Sequence, residues 1–143
     1  MAPSNSKQEA PSRLFVIAAL LLLGTGMFWG VTGGLQYLIP GFLKSYLPFQ
    51  KIRPLHVSSV VFWIIFSSTG AVFTYLQQHT DKKIYSQLLI KIQLIIFSLS
   101  VITILISYCA GIFGGREYWE FHPILALPIV AGWILFLINF IKS

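Results

Sequence analysis

Charge is scarce in this 143-residue chain: 10% of the residues are charged and four are acidic, Glu9, Asp81, Glu117 and Glu120. A soluble globular domain carries roughly 25% charged residues, so water is not the solvent for most of this chain's surface. Four scattered carboxylates also leave few options for paired acid–base chemistry. Cysteine is nearly absent. The single Cys109 excludes an intramolecular disulfide. Without a second thiol at ligand spacing, zinc ribbons, iron–sulfur centres and haem attached through Cys-x-x-Cys-His are excluded as well. The net charge is +6, yet the ten Lys and Arg stand in ones and twos between apolar runs. That pattern lacks the basic stripe of a nucleic-acid binder and reads as a set of membrane-topology signals.

What the chain does have is apolar length, with 56% hydrophobic residues. Residues 1–13 are polar, contain two prolines and read as a mobile tail. Four apolar blocks follow, at about 14–39, 55–76, 88–113 and 121–141. Each can cross roughly 30 Å of hydrocarbon at about 1.5 Å per residue. The first is too long for a signal-peptide core and no small-residue cleavage site follows it, so it reads as an uncleaved span. The fold class is therefore an all-α membrane protein of four transmembrane helices. With a cytoplasmic N-terminus, Lys7, Arg13, Lys82, Lys83, Lys91 and Lys142 lie inside, against Lys44, Lys51, Arg53 and Arg116 outside. Six against four favours both termini in the cytoplasm. Lys91, one turn into the third block, reads as a snorkelling side chain. Tyr46, Phe49, Trp119 and Phe121 read as interfacial anchors at the outer boundary.

Chemistry concentrates in three places. In the first helix Gly26, Gly30 and Gly34 recur every four residues, a stripe that admits either a neighbouring backbone or a flat ligand. In the second, His56, Ser59, Val60, Trp63, Ser67, Gly70 and Thr74 share one face at helical spacing, opposite Val57, Val61, Ile64, Ile65 and Val72, which suit lipid. An intramembrane histidine on a bundle-facing stripe is a functional candidate. On residue type His56 serves as a hydrogen-bond donor between helices, a proton relay or an axial haem ligand; Arg53, three residues earlier, suits a haem propionate at the interface. The third place is Gly114-Gly115-Arg116-Glu117-Tyr118-Trp119-Glu120-Phe121-His122-Pro123. Two glycines permit a tight reversal, and the carboxylates fit a solvated turn, oxygen ligands for Ca²⁺ or a proton entry route. His79 reads as a solvated loop residue and His122 as a cap; neither has a second ligand at i+3 or i+4.

Residues 34–56, from Gly34-Leu-Gln-Tyr-Leu to Pro48-Phe-Gln-Lys-Ile-Arg-Pro-Leu-His56, together with Trp63, Gly70-Ala71 and Gly115-Arg-Glu-Tyr-Trp-Glu120, resemble the N-terminal third of the large subunit of haem–copper oxidases. The resemblance runs over about residues 14–141 and is strongest to nitric oxide reductases and cbb-type cytochrome c oxidases, with the reductase branch slightly favoured. It implies that His56 is an axial ligand of a low-spin haem b acting as electron relay. It places Arg116 and Glu117 by the haem propionates, with Glu117 helping to bind a structural calcium, and Glu120 on a proton route from the outer side. It implies a bacterial inner (cytoplasmic) membrane location and a place in the respiratory chain or denitrification, beside a cytochrome c-type subunit and the remaining helices of a split or truncated large subunit. Nucleic acid is no partner. The ligands of the binuclear centre lie downstream in that family, so no catalysis is expected from this chain alone. The alternative is a non-enzymatic membrane scaffold or assembly protein that kept the bundle and associates through the Gly26, Gly30, Gly34 stripe.

Overall fold

The computed structural model describes residues 6–79 and 84–143, the side chains of residues 6–10 and His79 excepted. Lys7, Glu9, His79, Asp81, Lys82 and Lys83, which enter the reading of tail, charge and first inner connection, lie outside the described side chains. Helices α1 (Ser6–Leu38), α2 (Phe49–His79), α3 (Gln87–Cys109) and α4 (Ala126–Lys142) follow one another, with a 3-10 turn at Pro123–Leu125 leading into the last. All four are long and apolar enough to cross a membrane, with candidate spans of 28, 30, 23 and 20 residues.

The boundaries differ from the sequence reading in instructive ways. Helix α1 begins at Ser6, eight residues before the apolar block, and takes in most of the segment read as a mobile tail. Tertiary packing holds that extension: Ser12 is fully buried and its hydroxyl donates to Oε1 of Gln77 at 3.2 Å. Helix α2 likewise begins at Phe49 instead of Leu55, because Pro54 is accommodated near the helix start. There the missing N–H orphans one early carbonyl, that of Gln50, whose side chain is exposed. Helix α3 stops at Cys109, four residues short, where Gly111 turns the chain with φ +79°. Helix α4 starts late because His122 caps a separate 3-10 turn, its Nδ1 accepting from Ile124 N at 3.4 Å.

The helices run alternately up and down. Phe15, Phe66, Phe73 and Phe97, each at most 1% exposed, pack in tilted pairs across α1, α2 and α3, and Trp133 and Phe136 of α4 join them edge-on, with centroids 5.3–6.5 Å apart. In lipid the hydrophobic effect does not drive such helices together; close packing does. Backbone polar groups at the helix ends are closed by side chains. Asn139 spans Ser86, its Nδ2 donating to Ser86 O and its Oδ1 accepting from Ser86 N, both at 3.0 Å. Lys51 Nζ donates to the carbonyl of Cys109 at 2.8 Å, placing a cation on the negative end of α3. Lys91 is exposed, as a snorkelling side chain requires. Phe121, read as an interfacial anchor, is instead buried, because the loop folds it under Trp119.

Candidate functional site

His56 sits two turns into α2 and faces α1. Its Nδ1 lies 2.7 Å from the carbonyl oxygen of Gly26. A carbonyl only accepts, so Nδ1 carries the proton and the Nε2 lone pair is left free. Nε2 has no hydrogen-bond partner among the described residues, and the ring is half-buried. The ring lies on the bare backbone of Gly30, where a Cβ would stand 3.0 Å from both Cε1 and Nδ1. The glycine stripe therefore works within the chain: Gly26 meets Ser59 and Val60, Gly30 meets His56, and Gly33 meets Ile52 and Phe49. Gly34 touches nothing within 4 Å, so the third member of the stripe is Gly33. Association with other proteins through Gly26, Gly30 and Gly34 is ruled out for the first two, because α2 already covers them.

The face of α2 predicted to enter the bundle is rotated. Ser59 and Gly70 are buried, but so are Leu55, Phe62, Phe66 and Phe73, whereas Trp63, Ser67 and Thr74 are half-buried. Of the residues assigned to lipid, Val61 and Ile64 are exposed and Val57, Ile65 and Val72 are half-buried. A helix contacting two neighbours buries more than one stripe, so a single-face reading places its edges wrongly.

One turn before His56, Arg53 pairs with Glu120, 67 residues later. The pair joins the start of α2 to the loop between α3 and α4. Gly114 N donates to Glu120 O, and the Gly114 backbone lies so close against the Phe121 carbonyl that no Cβ fits. Gly115 then turns with φ +76°, and Arg116 bridges back to Trp119 through Tyr118, which is forced to φ +64°. The result is an open cleft of about 480 Å³ lined by Arg53, Phe113, Gly115, Arg116, Glu117 and Glu120. Arg116 and Glu117 are exposed and, among the described residues, have no ion-pair partner.

All four charged residues singled out in the sequence thus meet in one cleft, and His56 does not line it. Two carboxylates, one already held by an arginine, do not make a calcium site alone; Ca²⁺ takes about six to eight oxygens. Among the described residues no group of three His, Cys, Asp or Glu is placed to hold a metal ion. His56 does fit an axial haem ligand, since its free nitrogen is the one with the lone pair. Three features escaped the sequence reading. Tyr108, fully buried, hydrogen-bonds Ser58 at 3.0 Å; the amide of Gln93, 1% exposed, has no partner on either atom among the described residues; and Arg53 and Glu120 form a pair. Spacing of Gln93 with Phe97, Ser100, Ile104 and Tyr108 along α3 could have flagged it as core-facing; the two long-range pairs left no local signal.

Comparison with known proteins gives the class. Residues 10–143 match the family described as Cytochrome C and Quinol oxidase polypeptide I, and the chain belongs to that family. It is similar to a subunit of nitric oxide reductase from Stutzerimonas stutzeri, 27% identical over 146 residues that cover 92% of this chain and 31% of that protein. It is also similar to a Cytochrome c oxidase subunit 1 homolog of Agrobacterium tumefaciens (strain T37), 29% identical over 126 residues, 82% of this chain and 23% of the relative. The chain therefore spans less than a third of the length of these two relatives.

Proposed function

We propose that this chain is the haem b-carrying N-terminal portion of a respiratory membrane oxidoreductase of the nitric oxide reductase or cbb-type oxidase kind, in the bacterial inner membrane with both termini cytoplasmic. The observation that carries the reading is the His56 imidazole, whose protonated Nδ1 is committed to Gly26 O and whose Nε2 is free. A haem b bound there supplies one-electron transfer. The chain's own residues do the rest. His56 would hold its iron through Nε2. Arg53 and Arg116, at the cleft one turn away, offer guanidinium groups to carboxylates at the interface, which is the geometry arginine serves best. Glu120, released from Arg53, takes up or passes a proton at its Oε1 on the outer side. Glu117 would give a carboxylate oxygen to a calcium ion whose other oxygens would have to come from outside the described residues. The remaining haem ligand, the contact with a cytochrome c-type protein and the binuclear centre would come from the partner helices of the complex.

Reduced-minus-oxidised spectra of the purified complex test this. The wild type is expected to show low-spin haem b bands and His56→Ala to lose them. Bands unchanged in His56→Ala overturn the ligand assignment, and a wild type that purifies without haem favours the scaffold.

A further inference from the structure

We infer that α1 positions the His56 imidazole and sets its strength as an iron ligand, through the carbonyl of Gly26 and the bare backbone of Gly30. The inference rests on the haem reading of His56 and goes beyond it, by giving a function to a helix that contributes no ligand of its own.

Two contacts act on one ring. At 2.7 Å the bond from Nδ1 to Gly26 O is short for a neutral N–H donor, and its acceptor is a backbone oxygen fixed within a helix. A hydrogen bond on the far nitrogen raises the basicity of the ligating one and fixes the tautomer and ring orientation. A more basic imidazole favours the oxidised iron, so this bond holds the midpoint potential down. Gly30 governs the plane. A Cβ there would come within 3.0 Å of Cε1 and Nδ1, and an imidazole is a rigid plate with no flexible tip to move aside. Any side chain at position 30 therefore tilts the ring or pushes it from the Gly26 carbonyl. The other glycines of the stripe differ. At Gly26 a Cβ meets Val60 Cγ2 at 2.9 Å and the Ser59 Cβ at 3.5 Å, a crowded contact that does not involve the imidazole, and at Gly34 it meets nothing within 4 Å. Gly34→Ala is thus a matched control, the same change in the same helix.

The test compares wild type, Gly30→Ala, Gly34→Ala and His56→Ala, each purified in its native complex, by electron paramagnetic resonance of the ferric low-spin haem and by redox titration. Gly34→Ala is expected to match the wild type. Gly30→Ala is expected to keep haem while shifting the low-spin g-values and moving the midpoint upward. In the wild type, double resonance after transfer to deuterium oxide is expected to show the Nδ1 proton exchanging at least about tenfold more slowly than that of a solvent-exposed axial imidazole. A haem-retaining Gly30→Ala with g-values and midpoint of the wild type overturns the positioning role. So does a freely exchanging Nδ1 proton, which decides the matter alone if Gly30→Ala does not fold. Low-spin bands that survive His56→Ala, or a haem-free wild type, instead remove the ligand reading itself and the positioning role with it.

Discussion

Gln93 is the most expensive side chain in the bundle. Its amide is 1% exposed in the interior of a spanning helix, and neither its oxygen nor its nitrogen is hydrogen-bonded among the described residues. Burying an unsatisfied amide costs about 1–3 kcal/mol by mutational measure. Gln93→Leu, close in volume, is therefore expected to stabilise the protein by about 1–2 kcal/mol in a denaturant titration in fixed detergent. A loss of stability would mean that the amide is satisfied by a group outside the described residues. The residue scale is also where sequence served unevenly. His56, Arg53, Arg116, Glu117 and Glu120 could be named because charge and imidazole are rare in apolar sequence and so conspicuous. Gln93 and Tyr108 were passed over because a neutral polar residue in a long apolar run shows its burial only once the neighbours are known.

At the scale of elements, four spans were legible from hydropathy alone and their ends were not. Hydropathy reports solvent, whereas the ends of these helices are fixed by partners. Ser12 with Gln77 extends α1 into polar sequence, and Pro54 falls inside α2 because its missing donor comes early enough to be harmless. The start of α3 depends on another helix altogether. Asn139, 1% exposed, closes both backbone groups of Ser86, and Ser86 Oγ in turn accepts from Leu89 N at 3.3 Å. Asn139→Leu leaves that donor and acceptor unpaired together and is expected to cost about 2–4 kcal/mol. Amide exchange at Ser86 and Leu89 should speed up in that variant while the C-terminal half of α3 stays protected. Uniform acceleration along α3 would show that the asparagine stabilises the whole helix and does not cap one end.

Across the whole molecule the two ends of the bundle are built differently. Around Phe73, Phe97 and Phe136 the helices are joined by tilted and edge-on rings, with Ser12–Gln77 and Asn139–Ser86 as neutral ties beyond them; at the other end, where the charged residues sit, they are joined by His56 with Gly26, Ser58 with Tyr108, Lys51 with Cys109 and Arg53 with Glu120. The charged cleft emerges at that polar end from segments 67 residues apart, which is why its members were nameable in sequence while their pairing was not. Arg53 is 48% exposed and Glu120 13%, so the pair is partly screened. A double-mutant cycle with Arg53→Gln and Glu120→Gln is expected to give a coupling of about 0.5–1 kcal/mol that shrinks with added salt. A coupling near zero at low salt would detach the loop from α2.

The Asn139 clamp also has a meaning in time. Ser86 leaves the ribosome 53 residues before the side chain that closes it, which at about 5–20 residues per second is a wait of roughly 3–10 s. During synthesis α3 therefore enters the bilayer with its first turn uncapped by protein and dependent on headgroup water. The hairpin of α3 and α4 locks only when the far end of α4 arrives, so the edge of the bundle at the start of α3 is sealed late.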